Sequence, residues 1–530
     1  MDMAVVELSR LQFALTAMYH FLFVPLTLGL SFMLVIMETV YVMTDRPIWR
    51  DITRFWSKLF GINFVLGVAT GLTMEFEFGT NWAYYSHYVG DVFGAPLAIE
   101  GLMAFFLEAT FVGLMFFGWD KLTKRQHLFT TFMVALGSNL SALWILIANG
   151  WMQNPVGADF NPATMRMEVT DFMAVIFNPV AQAKFVHTVS AGYVTASVFV
   201  LGVSAWYLLR GRHVGFAKRS FAVAAAFGLA SSLSVVVLGD ESGYALTENQ
   251  KMKLAAVEGM WETEAAPAGL SIFGIPSNDQ RETAYEVKIP YVLGLISTRS
   301  LTGEVAGITP LVEGAATRIR NGLPAYAALE TLKQNPKDLA ARETFERHKH
   351  DLGHALLLKR FVDDPLAATS ADIEKAAWST VPNVPVLFWL FRIMAGLGFA
   401  FIAFFAFAVW MTTARRFDKR WFLRIAVLAI PLPWLAAEVG WAVAEYGRQP
   451  WAIEGVLPTF LGASSLTVGQ LWTTIIGFTL LYGALAVIEV RLMLAAIRKG
   501  PECYVPWRPV PAATPRPAPA RADFTAVPAE

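Results

Sequence analysis

The chain has 530 residues and a single cysteine, Cys503. One thiol excludes a disulfide framework, a thiolate zinc site and an iron–sulfur cluster. Charge is scarce as well. Only 16% of residues are charged, where a soluble chain carries about a quarter. Lys plus Arg and Asp plus Glu both number 42, so the net charge is zero and no basic surface for nucleic acid is implied. There is no glycine-rich phosphate loop and no internal repeat. The N-terminus does not read as a cleavable signal peptide, because Asp2 and Glu7 precede an apolar run of about thirty residues.

Hydrophobic side chains, by contrast, make up 55% of the sequence. Apolar stretches of roughly 20 or more residues read as membrane helices. Nine are expected, at 12–43, 55–82, 94–119, 127–151, 183–209, 216–238, 384–413, 421–446 and 468–496, which makes an all-α polytopic membrane protein. Basic residues collect in alternate connections: Arg46, Arg50 and Arg54; Lys121, Lys124 and Arg125; Arg210, Arg212, Lys218 and Arg219; Arg415, Arg416, Lys419 and Arg420. The intervening short connections carry Arg166, Arg448 or no base at all. By the positive-inside rule the N-terminus lies outside and the C-terminus in the cytoplasm. Four parts follow: six spans in 1–238, an extracytoplasmic loop over 239–383, three spans in 384–500, and a cytoplasmic tail over 501–530. The loop is rich in Glu, Lys, Arg and Thr, with a helical stretch at 326–360. The Pro- and Ala-rich tail reads as disordered.

Polar groups stranded in apolar runs are costly and mark function. His20 and His187 lie deep in the first and fifth spans, and Met394 and Glu445 lie in the seventh and eighth. All four side chains can ligate iron, which points to haem. His187 and Met394 fall at comparable depth on the outer side. They either bind opposite faces of one haem, as electron transfer favours, or are a hydrogen-bonded histidine and a packing methionine. Glu438 and Glu445 share one helix face, and Glu100 and Glu108 share another. These carboxylates serve as a proton relay or as ligands, or else form ion pairs, for example with Arg392 or Arg424. His348, His350 and His354 are spaced like metal ligands, but on a charged helical stretch they read better as a solvated face. Lys253, Glu258 and Trp261 follow the sixth span. They would suit oxidation of a lipid-derived hydroquinone, or are simply solvated.

Longer strings carry a resemblance. They are Glu7-Leu-Ser-Arg-Leu-Gln-Phe-Ala-Leu-Thr-Ala-Met-Tyr-His20, Gly61-Ile-Asn-Phe, Gly137-Ser-Asn-Leu-Ser141, Gly239-Asp-Glu-Ser-Gly-Tyr244 and Gly447-Arg-Gln-Pro-Trp451. Over almost all of residues 1–500 the sequence resembles subunit I of the cytochrome bd-type quinol oxidases, in the form with a long quinol loop. The resemblance implies a haem-bearing subunit that oxidises quinol and reduces O2 to water in the bacterial inner membrane, building a proton motive force without pumping. It implies two b-type haems, one low-spin and one high-spin, and one haem d. It implies His187 and Met394 as ligands of the low-spin b haem, with Arg392 beside it. Glu445 would ligate the high-spin b haem and His20 the haem d iron. Lys253 and Glu258 would bind quinol, and Glu100, Glu108 and Ser141 would line a proton path. Subunit II, a small single-helix subunit and membrane lipid are the implied partners. Other readings are a cyanide-insensitive variant with a b haem in place of haem d, an electron-transfer module that never meets O2, and a proton-coupled transporter.

Overall fold

A computed structural model describes residues 2–502. Most of the expected tail, 503–530 with Cys503, lies outside the described residues. Among the described residues, nine helical spans are long and apolar enough to cross a membrane. They are Met3–Thr44, Pro47–Thr80, Ala83–Phe117, Lys124–Gln153, Phe172–Leu209, Val214–Asn249, Val384–Thr413, Arg420–Tyr446 and Val468–Lys499. The all-α expectation stands, since the strands are three short hairpins.

The span limits differ from expectation where local chemistry intervenes. The first span is two helices, Met3–Phe21 and Val24–Thr44, parted where Pro25 cannot donate to the preceding turn. The third begins at Ala83, not 94. The eighth is divided between Leu428 and Leu432, around Pro431 and Pro433. The sixth continues past 238 to Asn249. Asp240 and Glu241 mark where apolar composition ends but do not stop the helix.

The basic connections meet one another at one end of the bundle. Lys124 pairs with Asp45, Arg212 donates to the Arg498 carbonyl at 3.3 Å and Arg420 to that of Leu209 at 3.3 Å. At the other end Ala83 N donates to Ser464 Oγ at 2.8 Å, and Lys349 of the long loop lies 3.7 Å from Asp159.

That loop is folded. It comprises helix Lys251–Glu258, a hairpin of Leu270–Ser277 with Glu282–Ile289, and helices Ile308–Gln334, Leu339–His348 and Ser370–Trp378. Its core residues Val257, Trp261, Ile308, Ile319 and Leu358 merge with Val384, Leu387 and Val443 of the seventh and eighth spans. Loop and bundle therefore share one hydrophobic core.

Within the bundle the fifth, sixth, seventh and eighth spans pack each against the next and close into a ring. Glycine sets the closest approach elsewhere: a Cβ on Gly29 would stand 2.5 Å from the Gly192 carbonyl oxygen, so the first and fifth spans touch backbone to backbone.

Candidate functional site

His187 and Met394 stand on opposite members of that ring, the fifth and seventh spans. Each faces a glycine on a helix between them. A Cβ on Gly239 would lie 3.3 Å from His187 Cε1, and one on Gly440 would lie 2.9 Å from Met394 Sδ. His187 Nδ1 is buried and makes no well-formed hydrogen bond. The Val235 backbone lies beside the ring. The two glycines make room for the His187 ring and the Met394 sulfur.

His20 ends the first helix. Its Nδ1 lies 2.8 Å from Thr70 Oγ1, and that hydroxyl is also 2.8 Å from the Leu66 carbonyl. A carbonyl only accepts, so Thr70 donates to Leu66 and accepts from Nδ1–H. Nε2 then carries the lone pair, the tautomer a metal ligand needs. Gly71 keeps the space around it open, with a Cβ there only 3.2 Å from the ring.

Glu445 sits in a polar web. Its Oε1 accepts from Asn149 Nδ2 at 3.1 Å and Gln153 Nε2 at 3.2 Å. Lys184 Nζ is 3.6 Å away, and Arg448 Nε is 2.8 Å from Oε2. The ion-pair alternative thus holds, but through Lys184 and Arg448 rather than Arg392 or Arg424. Glu445 still keeps 31% of its side chain accessible inside the bundle, so one side remains free for a further partner. Both oxygens of Glu438 lack hydrogen-bond partners among the described residues.

Lys253 and Glu258 are both buried rather than solvated, and helix Lys251–Glu258 turns them in different directions. Five residues is about 140° around a helix. Lys253 Nζ donates to Gln250 Oε1 at 2.8 Å, to the Ala444 carbonyl at 2.8 Å and to Gln153 Oε1 at 3.3 Å, so it joins the Glu445 web. Burial pushes its pKa down. Glu454, reached through Gln250 Nε2 at 3.2 Å, is pushed up by burial.

Glu258 faces Arg392 instead, at 3.4 Å, and accepts from Ser271 N at 3.2 Å. Burial outweighs Arg392 and raises its carboxyl to about 7. Arg392 also donates to the carbonyls of Val257 and Phe388, both at 2.8 Å, and of Ser271 at 2.5 Å. It pins the loop to the seventh span two residues before Met394.

Glu100 opens a six-residue π-helical segment, Glu100–Phe105. Pro96 just upstream removes a helical donor, and such segments recur at functional sites. Ser141 donates to Glu100 at 2.7 Å, and Ser138 donates to Glu108.

Lys184, Asn149, Gln153, Ser138 and Glu454 are site residues that sequence reasoning missed. Lys184 alone carried a signal, a lysine one turn before His187 in an apolar run. His354 is corrected: it is buried against Trp451, ring centroids 5.0 Å apart, and not part of a solvated face. No group of three or more His, Cys, Asp or Glu ligands occurs among the described residues.

Comparison with known proteins gives the family. The family described as cytochrome bd terminal oxidase subunit I matches residues 8–501. The chain is 51% identical to cytochrome bd-II ubiquinol oxidase subunit 1 of Escherichia coli (strain K12), over 95% of this chain and 98% of that protein. It is 36% identical to cytochrome bd ubiquinol oxidase subunit 1 of Bacillus subtilis (strain 168), over 94% and 95%. The solved bd oxidase of Geobacillus thermodenitrificans superposes with a TM-score of 0.75 at 25% identity, covering 94% of this chain and 99% of that one. The chain belongs to the cytochrome bd terminal oxidase subunit I family. It is a helical membrane subunit of a respiratory terminal oxidase, a haem protein that works with a second subunit.

Proposed function

We propose that this subunit holds three haems in the outer half of its bundle, two of b type and one of d type, and couples quinol oxidation to reduction of O2. The observation that carries the reading is the placing of His187 and Met394 on opposite members of one helical ring, each against a glycine, Gly239 and Gly440. Bound haem would supply electron transfer and oxygen reduction, and His187, Met394, His20 and Glu445 are the residues that would hold it. His187 and Met394 hold the low-spin b haem. His20, through Nε2, holds the haem d iron, and Thr70 fixes its tautomer. Glu445 holds the high-spin b haem from its accessible side, while Lys184 and Arg448 balance its charge.

Glu258 takes a proton from quinol at the loop, and Arg392 positions it across the 3.4 Å contact. Lys253 acts from the other side of its helix, steadying the Glu445 web. Glu108 and Glu100, each bonded to a serine of the fourth span, pass protons toward the haems. The alternation of basic and non-basic connections supports a periplasmic N-terminus and loop and a cytoplasmic C-terminus. Quinol protons are then released outside and protons for water are taken from inside, so charge separates without a pump. A small single-helix subunit completes the complex beside subunit II.

The test is a reduced-minus-oxidised visible spectrum of the purified complex with pyridine extraction of its haems. A red-shifted chlorin band beside two b-type signals is expected. Three b haems would replace haem d in the reading, and no haem would overturn it. Met394→Leu should abolish the low-spin b signal and spare the others; its retention would remove Met394 as a ligand.

A further inference from the structure

Glu38 and His127 are buried at the basic end of the bundle, 0% and 2% exposed, and have no part in the chemistry above. His127 Nε2 lies 3.0 Å from the Met115 carbonyl. That oxygen only accepts, so Nε2 carries a proton. Nδ1 faces Glu38 Oε1 at 2.6 Å, and Thr131 Oγ1 donates to Glu38 Oε2 at 2.6 Å. One exchangeable proton therefore sits between the carboxylate and the imidazole, on Oε1 or on Nδ1, in a site of no net charge. Trp119 lies on His127 with ring centroids 3.8 Å apart, directly under the basic connection that follows the third span.

The fourth span links this pair to the rest. His127, Thr131, Ser138, Ser141 and Asn149 fall within a sector of about 80° along about 33 Å of helix, the full depth of a bilayer. Each meets a carboxylate from another helix. His127 and Thr131 meet Glu38 of the first span, Ser138 meets Glu108 and Ser141 meets Glu100 of the third, and Asn149 meets Glu445 of the eighth. Four carboxylates on one polar stripe, Glu38 and Glu108 buried and Glu100 and Glu445 half-buried, are expensive in hydrocarbon unless they serve a path.

We propose that Glu38 and His127 form the inner proton-loading station of the oxidase, a role that rests on Glu100 and Glu108 carrying protons. A proton arriving from the inner side binds the pair as the shared proton leaves toward Glu108. Only O–H and N–H bonds form and break. Two helical turns, about 10 Å, separate Thr131 from Ser138, and water entering the bundle during turnover would bridge them.

The experiment uses the haem-loaded complex in liposomes, reduced with a short-chain quinol and given one pulse of O2. Proton uptake and the oxygen-reduction phases are followed in Glu38→Gln, Glu38→Asp and Glu108→Gln. Glutamine can keep both hydrogen bonds of Glu38, so a purely structural pair predicts wild-type kinetics. The loading station predicts proton-coupled phases slowed about tenfold or more in Glu38→Gln. Haem content and anaerobic reduction by quinol stay unchanged, and aspartate restores part of the rate. Glu38→Gln kinetics within about twofold of wild type, with Glu108→Gln slow, overturn the station alone. Wild-type kinetics in both remove the route and the station together. Should Glu38→Gln fail to assemble, His127→Gln is read against the same limits.

Discussion

The two halves of the bundle treat buried charge in opposite ways. The half beneath the long loop gathers Lys184, Glu445, Arg448, Lys253 and Glu454 into one connected web, with Asn149, Gln153 and Gln250 as amide bridges. The half beside the basic connections is an apolar core of Trp56, Phe60, Phe221, Phe405, Leu34 and Met37, interrupted by the Glu38–His127 pair. Burying one charge is prohibitive, but burying several of alternating sign with amides between them is tolerable. The web lies where the folded loop closes over the spans, so the proposed redox chemistry falls in the half that can hold charge. On the same proposal the half beside the basic connections needs only packing and an entrance for protons.

Breaking the web should have the largest effect. Arg448→Leu leaves Glu445 with Lys184 alone as a cation partner. Truncating one member of a buried pair costs about 3–5 kcal/mol. Because Glu445 keeps part of its surface accessible, roughly 2–4 kcal/mol is expected here. The purified variant should lose thermal stability and retain less high-spin b haem. An unchanged melting temperature and haem content would mean that the web is dispensable.

Glu258 tests the same contrast at the loop, where charge is less fully compensated. Burial raises its carboxyl to about 7, so it is largely protonated below that pH and ionised above. A group that accepts a quinol proton must be ionised, so quinol oxidation should rise as pH passes upward through about 7. Glu258→Gln should slow it by about tenfold or more, flatten that limb and leave the haems in place. A variant that keeps the limb would assign it to another group.

The ease of reading these halves from sequence was just as uneven. Spans were legible because twenty apolar residues can do little else, and single candidate ligands such as His187 stood out against that background. Lys184, Asn149 and Gln153 were not legible, since their meaning lies in meeting Glu445 from other helices. The division of labour between Lys253 and Glu258 was hidden too. Their spacing places them on different faces, but only the folded loop supplies Arg392 to one and the Ala444 carbonyl to the other. Glu38 was lost because it stands near the end of its span, where a carboxylate excites no suspicion. The end of the sixth span was misplaced at 238 because hydropathy reports the membrane boundary and not the helix boundary.

The half beside the basic connections offers the smallest effect and so the sharpest control. Trp56 Nε1 donates to Ser220 Oγ at 3.0 Å, joining the second and sixth spans in the middle of the apolar core. Ser220→Ala removes the acceptor and leaves a buried indole N–H without a partner, at a cost of about 1–3 kcal/mol. Trp56 and Ser220 are fully buried and stand on spans that carry no proposed ligand. The variant should therefore melt slightly earlier, with an unaltered haem spectrum and unaltered quinol oxidation. A changed spectrum would show that packing in that half is transmitted to the haem sites. The division between a charged half beneath the loop and a packed half beside the basic connections would then fail, because the spans with the proposed ligands would be set by a contact between two other spans.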